Sequence, residues 1–190
     1  MKQILIALVE DKPGVLNRIA SLFRRRNFNI ESIVAGHSEV PGTTRLTIAT
    51  DEEEHLRRNI IRQNLLKLVN VIDVVDVTDE PCIIREHALI KIKSDGSSRG
   101  EIAALVEMYR GRIVDVGTES MVVEITGEPK KIKSMLEVLG QYGIIEIARA
   151  GKVAITRGPL NPADNGDLHL WKNSKGQASL AKIQKEVGQA

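Results

Sequence analysis

The residues best placed to do chemistry stand where an apolar run breaks. Residues 2–10 (KQILIALVE) read as a buried strand, Asp11-Lys12-Pro13-Gly14 interrupts it with turn chemistry, and an amphipathic helix follows. Gly14 has no Cβ to hold a ligand off the backbone, and the free amides of Gly14, Val15 and Leu16 at a helix start suit a carboxylate. Asp11 is an acceptor placed for an ammonium group. Carboxylate donors and an ammonium acceptor beside apolar Leu16 or Ile30 fit a small free amino acid, although a plain Pro-Gly turn accounts for the same residues. Asn29 opens the next strand, at the opposite end of a βαβ sheet from Asp11, so it reaches the same ligand only from a neighbouring copy of the domain.

Other chemistry finds no home. His37, His55, His87 and His169 show no close-spaced ligand pair, and Cys82 is the single cysteine, so no metal site is expected. No Gly-rich phosphate loop, GxSxG elbow or HExxH helix is present, and no catalytic residues are assigned. Arg24-Arg25-Arg26 reads as a solvated helix end favoured by the macrodipole, because phosphates prefer the other end of a helix.

The elements that must position the junction follow from periodicity. Val15, Leu16, Ile19, Leu22 and Phe23 form one helical face, and a strand from Ile30 to about Val40 turns at Pro41-Gly42 into a third strand, Thr43 to Ala49. Thr50-x-x-Glu53 fits a capping box for a second helix with a stripe of Leu56, Ile60, Ile61, Leu65 and Leu68; Val71 to Val77 then reads as a half-exposed strand. After Pro81 the order begins again. Residues 83–93 form a strand, Ser98-x-x-Glu101 caps a helix, 112–116 and 121–125 form a hairpin, Pro129 to Leu139 a helix, and 142–148 with 153–156 complete a second sheet. The fold class is therefore α+β, two βαββαβ units of ferredoxin-like type in tandem, over 1–78 and 79–158. Residues 159–190, rich in Asn, Gly, Asp, Lys and Gln, read as a polar tail carrying Trp171 and a short helix near Ser179 to Val187.

Composition narrows the classes. With 27 Lys and Arg against 25 Asp and Glu and 3% aromatic residues, the 190-residue chain suits neither a phosphate-backbone binder nor a protein that stacks bases. An RNA-binding ferredoxin-like module needs aromatics on its middle strands, and 43–49 and 112–116 contain none. No apolar run nears the ~20 residues of a bilayer span, and the N-terminus has no signal-peptide pattern, so a cytoplasmic protein with no membrane partner is expected.

The segments Glu10-Asp11-Lys12-Pro13-Gly14-Val15-Leu16-Asn17-Arg18 and 22–32 (LFRRRNFNIES), with 67–71, 85–92, 110–116, 143–149 and 153–158 in the same order, resemble the small regulatory subunits of acetolactate synthase (acetohydroxyacid synthase). That resemblance implies an N-terminal ACT domain, a C-terminal ferredoxin-like domain, and a homodimer whose ACT sheets pair edge to edge. It implies a non-catalytic partner of the large catalytic subunit, which holds the thiamine diphosphate, FAD and magnesium, none of them in this chain. Its role would be to activate that subunit and confer feedback inhibition by valine or a related branched-chain amino acid. The match carries Asp11, Gly14 and Asn29 over as effector contacts, with Val15, Leu16 and Ile30 flanking. Asp11 stands where many members have Asn, and Asn27 where they have Gly, at a helix end that favours φ > 0. A stand-alone amino-acid sensor is the alternative; the second domain, which a simple sensor does not need, argues against it.

Overall fold

The computed structural model describes residues 2–157; His169, Trp171, and the tail and short helix expected beyond 159 lie outside them. The described chain divides into two compact units, 2–83 with 154–157, and 84–153.

In the first unit β1 (Ile4–Glu10), α1 (Val15–Arg25), β2 (Ile30–His37), β3 (Thr43–Thr50), α2 (His55–Leu66) and β4 (Val71–Asp76) follow the expected order. The sheet runs β2-β3-β1-β4 with each neighbouring pair antiparallel, which is the ferredoxin-like arrangement. β1 is buried on both faces along nearly its whole length, with Leu5, Ala7 and Val9 on the helix side and Ile4, Ile6 and Leu8 on the other. Leu5, Ala7 and Val9 join Leu46, Ile48, Val71 and Val74 against Val15, Ile19, Leu22, Phe23, Ile61 and Leu65 of the helices. Pro41-Gly42 makes the β2–β3 turn, with Gly42 at φ 72° and Thr43 N–H on Val40 C=O at 3.3 Å.

The end of α1 shows how Asn27 replaces glycine. Asn27 takes φ 54°, its N–H donates to Arg24 C=O at 3.2 Å, and Phe28 N–H donates to Phe23 C=O at 3.0 Å. That pair of bonds is a Schellman motif, and the edge-on packing of Phe23 against Phe28, centroids 6.4 Å apart, supplies its apolar contact.

In the second unit β5 (Cys82–Lys93), α3 (Arg99–Met108), β6 (Arg112–Val116), β7 (Ser120–Gly127), α4 (Pro129–Leu139) and β8 (Ile144–Arg149) repeat the order. The sheet runs β6-β7-β5-β8, and β9 (Val153–Thr156), all but Val153 of it in the first unit, follows β8 in the chain. Ala88, Ile90 and Ile92 pack with Val123 and Ile125 under Ile102, Val106, Ile132, Met135 and Leu139. α3 ends in a second Schellman motif: Arg110 takes φ 52° and bonds Glu107 C=O at 2.8 Å, and Gly111 bonds Val106 C=O at 2.8 Å. On β7, a hydrogen bond from His87 at 3.0 Å, with the Arg112 charge beside it, holds the Glu124 carboxyl below its ordinary range.

Several local expectations are corrected. The Thr50-x-x-Glu53 capping box does not form: Thr50 stays in β3, its hydroxyl accepts from Glu52 N–H at 3.3 Å, and α2 starts after Glu54. The α2 stripe is rotated. Leu56 is 69% and Ile60 46% exposed, while Arg58, Ile61 and Leu65 face inward. Arg58 is accepted there because it pairs with Asp76 and Asp79, and the hydrogen bond from Arg58 keeps the Asp79 carboxyl below its ordinary range. β4 is not half-exposed: Val71 through Val74 are buried, and Asp73 accepts Val74 N–H at 2.7 Å. β2 stops at His37, and Tyr142 belongs to a 3₁₀ turn rather than to β8. At α3 Ser98 holds the N-cap position but its side chain makes no capping bond; Asp95 Oδ1 instead accepts the N–H groups of Ser97 at 3.0 Å and Ser98 at 2.8 Å in the turn that leads into the helix.

Candidate functional site

β1 delivers the chain to the junction with Glu10 opposite Thr43 of β3. Asp11 N–H then donates to Gly42 C=O at 3.0 Å, tying the loop to the β2–β3 turn, and Lys12 N–H closes on Glu10 C=O at 2.9 Å. Gly14 caps α1 at φ 85° and ψ −3°, a left-handed conformation, and a Cβ built there would meet nothing within 4 Å. Glycine is thus favoured by the backbone, and the space beside it is open.

No side chain caps α1, and its first intrahelical bond runs from Arg18 N–H to Gly14 C=O at 3.0 Å. Leu16 N–H therefore has no intrahelical acceptor. Val15 N–H does not stay free as expected: it turns back on Lys12 C=O at 3.4 Å. Val15 is a buried anchor at 5% exposure, whereas Leu16, read as part of the buried face, is 50% exposed and points its apolar surface outward. Asp11 and Gly14 are exposed with it. The junction thus sets a helix N-terminus, an acidic side chain and an aliphatic surface side by side.

A bracing network holds this loop and is not apparent from sequence. Asn70, buried just before β4, donates to Glu10 Oε2 at 2.6 Å and accepts from Arg18 of α1, while Glu10 Oε2 also meets Lys12 Nζ at 3.1 Å. Strand end, helix start and the α2–β4 connection are thereby joined. Glu10 and Arg18 lie 60 and 52 residues from Asn70, so only the fold brings them together.

Asn29 and Ile30 sit elsewhere. Ile30 pairs with Thr50 and Glu10 with Thr43, so the two halves of the expected site stand at opposite ends of β3, about 23 Å apart at ~3.3 Å per residue. Asn29 Nδ2 donates to Asp51 Oδ2 at 3.4 Å beside a groove of ≈ 260 Å³, where Arg57 lies 5.5 Å over the Phe28 ring. Asp11, Gly14, Val15 and Leu16 come together in one chain; Asn29 and Ile30 form a separate group. β2 is an edge strand and runs parallel to β1, since each is antiparallel to β3.

Among the described residues no group of three or more His, Cys, Asp and Glu side chains is arranged to hold a metal ion, and no helix is long and apolar enough to cross a membrane. Arg24 and Arg25 fill the last turn of α1 and are exposed, and Arg26 reaches Asn64 Oδ1 at 3.3 Å.

Two family models match the chain. Residues 5–73 match the ACT domain of AHAS small subunit-like proteins, and 85–158 match the small subunit of acetolactate synthase. The chain is 46% identical over 155 residues to an acetolactate synthase small subunit of Mycolicibacterium smegmatis, covering 82% of this chain and 91% of that one. It is 42% identical over 165 residues to the Bacillus subtilis acetolactate synthase small subunit, covering 87% and 96%. The crystal structure of the acetolactate synthase small subunit from Thermotoga maritima superposes with a TM-score of 0.77 at 39% identity, over 84% of this chain and 99% of that one.

Proposed function

The chain belongs to the family of acetolactate synthase small subunits, and from that premise we propose that it regulates a large catalytic subunit in branched-chain amino acid biosynthesis, binding valine or a related branched-chain amino acid between two ACT domains. The observation that carries this reading is the direction of the edge strand. When β2 of one copy pairs antiparallel with β2 of a second, the start of each β2 comes to the sheet end where the other copy's β1 finishes. Asn29 and Ile30 of one copy then stand at the same end as Asp11, Gly14 and Leu16 of the other, and the two half-sites complete each other.

The effector's carboxylate lies at the start of α1, its ammonium toward Asp11, and its side chain against Leu16 and Ile30. Asn29 adds a donor and an acceptor from the second copy. Because the site is made of two chains, a bound effector favours one arrangement of the pair over another. A coupling of about 1 to 3 kcal/mol changes a linked affinity by roughly 5- to 150-fold. This chain carries no chemistry of its own in this reading; the thiamine diphosphate, FAD and magnesium of the reaction reside in the large subunit.

Calorimetric titration of the full chain with L-valine, L-leucine and L-isoleucine tests the effector. The test of the pairing is sedimentation of Val34→Pro, which removes a donor from β2. The expected results are saturable binding of at least one of the three and a shift of the variant toward monomer with loss of that binding. A variant that still dimerises and binds would overturn the shared site.

A further inference from the structure

The second unit repeats the backbone arrangement that frames the first unit's junction. Ser94, one residue past β5, donates its N–H to Glu119 C=O in the β6–β7 turn at 3.0 Å, just as Asp11, one residue past β1, donates to Gly42 C=O in the β2–β3 turn at 3.0 Å. The loop between β5 and α3 thus holds the place of Asp11–Gly14 in the repeat. It opens on a groove of ≈ 780 Å³ whose lining includes Lys91, Lys93, Ser94, Asp95, Glu119 and Ile145.

Ser94 is only 3% exposed, and its hydroxyl is buried with no hydrogen-bond partner among the described residues. Buried hydroxyls are ordinarily paired, so this one is a vacant polar contact in the wall of the groove. Lys91 and Lys93 alternate with the core residues Ile90 and Ile92 and therefore present their ammonium groups on the face away from the helices. They form no ion pair among the described residues. Opposite charges share the lining: Asp95 is kept ionised by the hydrogen bonds of Ser97 and Ser98, which hold its carboxyl well below the usual carboxylate range, and Glu119 is exposed. Two ammonium groups and two carboxylates suit a ligand bearing both charges better than a bare anion, which would meet Asp95 and Glu119 unfavourably. Ile145, 50% exposed, adds an aliphatic surface.

We propose that this groove is a second amino-acid site, which takes a free aliphatic α-amino acid with its carboxylate toward Lys91, Lys93 and the Ser94 hydroxyl and its ammonium toward Glu119. It lies within one unit and needs no second copy, so it stands independently of the shared site proposed above.

The test uses the full chain carrying Gly14→Asp, which weakens the first-unit site, and follows backbone amide shifts, read residue by residue so that the two sites are told apart, during separate titrations with L-valine, L-leucine, L-isoleucine and inorganic phosphate up to about 10 mM, enough for a millimolar Kd. The expected result is saturable movement of the Ser94, Asp95, Ser98 and Ser120 amides with at least one amino acid and none with phosphate. Lys91→Met and, separately, Ser94→Ala weaken that binding by roughly tenfold, a loss of about 1.4 kcal/mol. Ser94→Ala deletes a hydroxyl that bonds nothing in the fold, so the variant reports on binding even where Lys91→Met perturbs β5. Amide shifts with phosphate alone, shifts confined to Asp11–Leu16, or no shifts with any of the three amino acids would each overturn the proposal.

Discussion

Gly14→Asp separates the electrostatic reading of the first junction from a merely structural one. Gly14 sits at φ 85° with open space where a Cβ would go, so the substitution meets strain but no clash. Aspartate is among the residues that tolerate the left-handed region, and the strain costs about 1 kcal/mol. The folded state survives that loss. The new carboxylate, however, stands beside the position of the effector's own. At ~4 Å two like charges repel by about 1 kcal/mol in water and about 4 kcal/mol near a protein surface. Effector affinity should therefore fall between about 5-fold and about 800-fold. Gly14→Ala carries similar backbone strain without charge and should change affinity by less than about threefold, a difference of ~0.6 kcal/mol. Calorimetry with L-valine, beside thermal unfolding to confirm folding, measures both. Mixing Gly14→Asp with Asn29→Ala chains sharpens the test, because the mixed dimer has one doubly damaged site and one intact site. Random exchange puts about half of the chains in mixed dimers, so binding should return at about a quarter of the wild-type stoichiometry. Equal losses in the Ala and Asp variants, or no recovery in the mixed dimer, would refute the reasoning.

Three further outcomes follow from the geometry. Arg110→Gly relieves a left-handed residue in the Schellman motif that ends α3 and should stabilise the second unit by about 1 kcal/mol, raising Tm in calorimetry by roughly 2 to 4 °C. Leu16→Ser removes an exposed side chain, so stability should stay within about 0.5 kcal/mol in urea titration while effector affinity falls. Glu124 has a folded pKa below its unfolded one, so its bond from His87 and ion pair with Arg112 stabilise the fold above the ordinary carboxylate range, and that stability is lost as pH falls through the folded value. Urea midpoints of wild type and Glu124→Gln should accordingly differ at pH 7 and converge in acid; a gap that persists in acid would contradict the assignment.

The repeated strand and helix order was readable because it rests on local patterning: the unbroken apolar run of β1, the Pro41-Gly42 turn and the alternation of Ala88, Ile90 and Ile92 on β5. Asn27 was readable from the family resemblance rather than from periodicity, since glycine stands at that helix end in many members and Asn is the side chain that best takes its left-handed conformation. Where local signals misled, a distant group had intervened. Thr50 cannot cap α2 while it pairs with Ile30 in the sheet, and Arg58 displaces Leu56 from the buried face because Asp76 and Asp79 arrive to meet it. Ser98 sits at the N-cap of α3 but makes no capping bond, because its hydroxyl donates back to the Asp95 carboxylate at 2.8 Å. Half of the candidate site was legible as a contiguous motif at Asp11–Leu16, and its separation from Asn29 followed from strand direction. The Glu10–Asn70–Arg18 brace was not, because its members meet only once β4 lies beside β1.

The central claim is that this chain regulates a catalytic partner through an amino-acid effector. The most direct measurement is acetolactate formation by the large subunit, supplied with thiamine diphosphate, FAD and magnesium, as this chain is titrated in with and without the branched-chain amino acid that binds most tightly. The account predicts that activity rises to a plateau at a fixed subunit ratio and that the effector lowers it only when this chain is present. Activity indifferent to the chain, or inhibition equally strong without it, would contradict the claim.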